Sequence, residues 1–119
     1  MSYDIQLTDP LTRETLLSDV PHDIRGGTYA TGGTRELWLN ITYNYSPHFY
    51  RVIPGGRGIR GIYSMTGADS ISVLEAAIAQ LGDDADEDYW KATEGNAKRA
   101  LLQLLAMAKI RPDGVWAGD

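Results

Sequence analysis

The sequence predicts an α+β fold: a small antiparallel sheet, made of N-terminal strands and a central hairpin, packed by two C-terminal helices. Three observations lead there. Two-residue alternation of apolar and polar side chains is confined to the first half of the chain, and apolar stripes of helical period are confined to the second. With 119 residues and no cysteine, the chain has room for one domain, 1–119, whose core rests on packing alone.

Tyr3, Ile5 and Leu7 alternate with Asp4, Gln6 and Thr8, a half-buried strand that Asp9-Pro10 ends. The stretch up to Pro21 reads as a loop, followed by a short strand over 28–31 between the Gly26-Gly27 and Gly32-Gly33 turns. From Arg35 to Tyr45, Leu37, Leu39, Ile41, Tyr43 and Tyr45 share one side and Trp38, Asn40, Thr42 and Asn44 the other. Ser46-Pro47 then predicts a turn, and the aromatic and β-branched run His48–Ile53 a returning strand that completes the hairpin. Four glycines and a proline make 54–61 a loop. A helix capped by Asp69 or Ser70 is expected to about Leu81, with Ile71, Leu74, Ala77, Ile78 and Leu81 on one face and Gly82 at its stop. A second is expected from near Thr93 to about Lys109, its stripe formed by Ala97, Leu101, Leu104, Leu105 and Ala108. Pro112-Asp113-Gly114 turns the chain toward Val115-Trp116.

Composition narrows function mostly by exclusion. Without cysteine there are no thiolate metal sites and no cysteine nucleophile. No apolar run reaches membrane-spanning length, and Met1–Asp4 does not begin a leader, so a cytoplasmic location is expected. The net charge is −5, and all of the excess lies after residue 68, where ten acids face five bases. An acidic chain of this kind is not expected to bind nucleic acid generally. Between Glu36 and Asp69, however, there is no acid, and that window holds Arg51, Arg57, Arg60 and His48.

Gly56-Arg57-Gly58-Ile59-Arg60-Gly61 has the spacing G-x-G-x-x-G, but no helical run follows and the flanking strand is not part of a parallel crossover. What remains is an anion-binding reading: Arg51, Arg57 and Arg60, with His48 and the permissive Gly56 and Gly58, presenting guanidinium forks to a phosphate or carboxylate. The plainer alternative is a solvent-exposed loop. Asp84, Asp86 and Asp88 match the first three positions of a calcium loop, but Tyr89 and Gly95 stand where glycine and glutamate belong. No metal site and no cofactor are expected. The same acidic run, flanked by Tyr89 and Trp90, could imitate nucleic acid for a basic partner. Trp38, Tyr50 and Tyr63 are further candidates for a partner-facing aromatic surface, and a homodimer is one way to cover it. The only imidazoles, His22 and His48, fall in no hydrolase or metal motif, so no catalytic residue is assigned.

Trp38–Ser46, Gly58–Tyr63, Tyr89–Ala97 and Arg111–Trp116 together resemble a family of small uncharacterised proteins encoded in phages and prophages. The likeness spans most of residues 35–119, and some members are longer between the two helical segments. The resemblance implies expression inside an infected bacterium and transfers no catalytic residues. The family brings no established activity; it is the small, acidic, cysteine-free chain poor in catalytic groups, with its arginine loop and aromatic surface, that together with the phage-like segments suggests a non-enzymatic accessory protein binding a host factor stoichiometrically, such as a defence nuclease. The alternatives are a binder of an anionic, nucleotide-like small ligand through the arginine and glycine loop, and a small metal-assisted or hydrolytic enzyme.

Overall fold

Five strands and three helices are found in the computed structural model of the chain, which describes residues 1–22, 24–27 and 33–119. Strand β1 (Ser2–Thr8) lies at the centre of a three-stranded antiparallel sheet, between β4 (Trp38–Thr42) and β5 (Val115–Gly118). Its register sets Tyr3 opposite Ile41 and Leu7 opposite Trp116. The alternation seen in the sequence therefore puts Tyr3, Ile5, Leu7, Leu39, Ile41 and Trp116 on one buried face. Strands β2 (Leu17–His22) and β3 (Thr34–Glu36) form a separate antiparallel pair. β2 occupies part of the expected loop, and the strand expected over 28–31 lies outside the described residues.

The single strand expected over 35–45 is broken at Leu37. There the chain changes partner: the Leu37 N–H donates to Leu16 O, while its carbonyl accepts from Leu7 N. After Thr42 a 3₁₀ turn, Tyr43–Tyr45, leads into helix α1, Ser46–Val52. This corrects the expected hairpin. Pro47 sits in the first helical turn, where its missing N–H costs nothing. The buried side chains here are Tyr45, Phe49, Val52 and Ile53, spaced i, i+4, i+7 and i+8, whereas His48, Tyr50 and Arg51 remain partly or well exposed. Period, rather than β-propensity, decides the segment.

Helix α2 (Gly67–Ala79) starts slightly earlier than expected, because Thr66 is its cap and accepts from Asp69 N at 3.0 Å. Its first N–H groups are satisfied by the turn before β5: Gly67 N donates to Gly114 O and Ala68 N to Pro112 O. Helix α3 (Glu94–Ile110) is capped by Thr93 and packs on α2, with Ala97, Leu101, Leu104 and Ala108 fully buried. Trp116, buried in the core, donates its indole N–H to Ser70 Oγ of α2 at 2.8 Å. β5 is then fixed on its outer edge by Ser64 N to Trp116 O and Trp116 N to Met65 O, each 2.9 Å.

Gly95, at the start of α3, lies against the backbone of the acidic loop. A Cβ there would fall on Ala85 N and 2.6 Å from Asp84 C. Alanine normally favours a helix over glycine by about 1 kcal/mol, but a rigid backbone cannot yield. Gly95→Ala is therefore expected to destabilise the protein by about 1–3 kcal/mol in chemical denaturation; a neutral or stabilising result would contradict this seating.

Candidate functional site

A cavity of about 590 Å³ opens where the outer face of the sheet meets two loops. Gln6 and Thr8 from β1, with Val115 and Ala117 from β5, point away from the core and contribute to its lining. The Asp9–Glu14 turn adds Asp9, Pro10 and Arg13, and the segment after α1 adds Arg57, Tyr63 and Ser64. The chain makes this turn because Asp9 folds it around its own carboxylate. Asp9 Oδ1 accepts from Leu11 N at 2.8 Å and Thr12 N at 3.0 Å, and Asp9 N donates to Glu14 O at 2.8 Å. Thr8 Oγ1 donates to Val115 O at 2.8 Å, tying the turn's base to β5.

Two details set this cavity apart. Among the described residues the only non-glycine positions with positive φ are Arg13 (66°) and Ser64 (75°), and both line it. Such conformations are uncommon outside glycine and persist where the surroundings impose them. Arg13 N is held by Asp9 O and Ser64 N by Trp116 O, which supplies that constraint. The side chains of Arg13 and Arg57 also make no hydrogen bond or ion pair with any described residue. Two arginines from separate loops thus line one concave space, an arrangement suited to an anion.

Asp9 brings a negative charge to the same cavity. The N–H donors of Thr12 and Leu11 hold its carboxyl below the usual carboxylate range, helped by the nearby Arg111 and opposed by Asp113. Tyr63 closes one side. Burial pushes its hydroxyl up to about 12, and Asp119 adds to the shift, so it stays protonated. Among the described residues its Oη is the one buried side-chain oxygen without a hydrogen-bond partner. It packs beneath Gly118, where a Cβ would collide with it.

The expected arginine cluster is dispersed. Arg51 turns to Glu94 at the start of α3 (3.6 Å) and to His48 Nδ1 (3.4 Å), while His48 Nε2 meets Ala92 O at 2.8 Å. Arg60 stacks over Tyr3 and Tyr43, its Nε donating to Asp119 O at 2.8 Å and its Nη2 to the Tyr43 hydroxyl at 3.2 Å. Both hold elements together, and of the three only Arg57 reaches the cavity. Gly56 has positive φ and open space around it. Gly58 is buried in the 3₁₀ turn Gly58–Ile62, with the Tyr50 ring 3.3 Å from where its Cβ would be, so it serves packing rather than ligand approach.

The aromatic candidates also separate. Tyr89 is 2% exposed: its hydroxyl accepts from Thr42 N at 2.6 Å and its carbonyl from the Tyr45 hydroxyl, which makes it part of the core. Trp90 is 54% exposed and Tyr50 49%, while Trp38 and Tyr63 are half-buried. Arg25 lies over the Tyr89 and Trp90 rings. The carboxylates of the calcium-like run turn inward on the protein: Asp84 accepts from Gly95 N at the start of α3, Asp86 from Asp88 N and Asp88 from Trp90 N. Among the described residues no three His, Asp or Glu side chains come together to hold a metal, and no helix is long and apolar enough to cross a membrane.

Arg13 was missed in the sequence because it stands alone between polar turn residues; Asp9-Pro10 marked the turn but not the residue it would present. No family model, curated protein or solved structure matches the chain.

The lowered Asp9 carboxyl gives stability that is complete above its unfolded value, near pH 4, and is lost as pH falls through the folded one. The melting-temperature advantage of the native chain over Asp9→Ala should therefore be greatest near neutrality and shrink below about pH 4. A difference that stays constant to pH 2.5 (roughly the acid limit of such a scan) would refute the assignment.

Proposed function

We propose that the protein acts by non-covalent capture of a small anionic ligand in the cavity that Arg13 and Arg57 share. One observation carries this reading: two arginines whose side chains have no internal partners among the described residues line a single preformed concavity of a chain that is acidic overall. The two non-glycine residues held at positive φ in its lining support it, since imposed backbone conformations gather at ligand-binding sites. Capture fits the inventory better than catalysis, because among the described residues no imidazole lines the cavity. With the resemblance to phage and prophage proteins, the setting we propose is an accessory protein in an infected bacterium.

A second reading, stoichiometric binding to a host protein such as a defence nuclease, is favoured by Trp90, which stands 54% exposed beside the exposed Glu87 and Asp88. Its test is retention of one host protein at near-equal stoichiometry that is lost in Trp90→Ala. The two readings are separable, because Trp90 does not line the cavity.

For the first reading, titration with inorganic phosphate and pyrophosphate should give saturable, salt-sensitive binding. Arg13→Ala and Arg57→Ala should each weaken it at least about tenfold, the scale of one charge-assisted contact. Arg51→Ala should leave it within about twofold, since that side chain is committed to Glu94. Absence of binding at millimolar phosphate, or equal losses from all three variants, would overturn the proposal.

A further inference from the structure

Resting on the anion-capture reading, we infer that the ligand is a hydroxyl-bearing phosphomonoester, of the sugar-phosphate or ribonucleotide type, with its phosphate on Arg13 and Arg57 and a hydroxyl donating to Asp9. Asp9 is then a specificity-determining residue.

The cavity holds a conflict of charge. A cavity meant only for an anion gains nothing from a carboxylate in its lining, yet Asp9 is there. It cannot swing away to neutralise either arginine, because Oδ1 is pinned by the Leu11 and Thr12 N–H groups, and no ion pair joins it to Arg13 or Arg57. Its Oδ2 accepts no hydrogen bond from any described residue. The cavity therefore offers two positive forks and one fixed acceptor as separate contacts. A ligand that is anionic throughout meets repulsion at Asp9, whereas one that also carries a hydroxyl satisfies it.

The arginines favour phosphate over carboxylate. A carboxylate has two oxygens and one charge, enough for one fork; a phosphomonoester has three terminal oxygens and close to two charges, enough for forks from two loops. The volume of about 590 Å³ is that of a site for an organic molecule rather than a bare ion. Val115 and Ala117 give a small apolar surface for a carbon skeleton, and the Gln6 amide, which has no partner among the described residues, offers both a donor and an acceptor.

The test compares methyl phosphate, ribose 5-phosphate and phosphoethanolamine by calorimetric titration on the full chain. Ribose 5-phosphate should bind at least about tenfold tighter than methyl phosphate. Asn at position 9 keeps the Oδ1 acceptor that the turn needs, so Asp9→Asn should fold, bind methyl phosphate more tightly than the native chain because the repelling charge is gone, and reduce that preference to under about threefold. Equal affinity for the two phosphates in the native chain, a preference that survives Asp9→Asn, or phosphoethanolamine as the tightest probe would each overturn the inference while leaving anion capture in place. Failure of all three to bind would overturn both.

Discussion

The antiparallel pairing of β5 with β1 is the constraint on which the rest of the molecule depends. It brings Val115 beside Thr8 and Trp116 beside Leu7, residues more than a hundred positions apart. On the inner side it places Trp116 among the core residues, where Ser70 receives the indole N–H. Burial of a tryptophan is worth several kcal/mol, a large fraction of the stability of a domain of this size. On the outer side the same pairing lays Val115 and Ala117 next to Thr8 and Gln6, and so forms the surface over which the Arg13 and Arg57 loops meet.

One set of contacts thus joins core to site. The outer edge of β5 holds Ser64 at positive φ through Ser64 N to Trp116 O, and the turn before β5 receives the first N–H groups of α2. Helix α2, strand β5 and the cavity cannot be displaced independently. The geometry around Arg57 is set from the other direction, by the packing of Gly58 beneath Tyr50 and the burial of Ile59 and Ile62. What composition alone describes as a glycine-rich loop is therefore anchored a residue or two beyond the arginine it presents.

Elements whose pattern is local were legible in the sequence. β1, α2 and α3 each carry a clean period, and their bounds follow within a few positions, although the cap of α2 is Thr66 rather than the expected Asp69 or Ser70. The segment 46–53 was misread because residue type and period disagree there: aromatic and β-branched residues suggest a strand, whereas Tyr45, Phe49, Val52 and Ile53 recur at helical spacing. β5 is four residues long and draws its order from partners far along the chain, so no local signal announces it. The partner change at Leu37 is hidden for a similar reason, since its side chain keeps the alternation while its backbone moves from Leu16, just before β2, to Leu7 of β1.

For the site, the acid-free window drew attention to Arg51, Arg57 and Arg60, yet a gap along the sequence is not a gap in space. Glu94 and Asp119, both from the distant second half, reach Arg51 and Arg60 and leave only Arg57 to the cavity. The central claim is that Arg13 and Arg57 act as a pair. It is tested most directly by following arginine Nε–H resonances by NMR while inorganic phosphate is added. The Arg13 and Arg57 signals should shift together along one saturable curve while those of Arg51 and Arg60 stay in place. Shifts led by Arg51 or Arg60, or separate curves for Arg13 and Arg57, would contradict it.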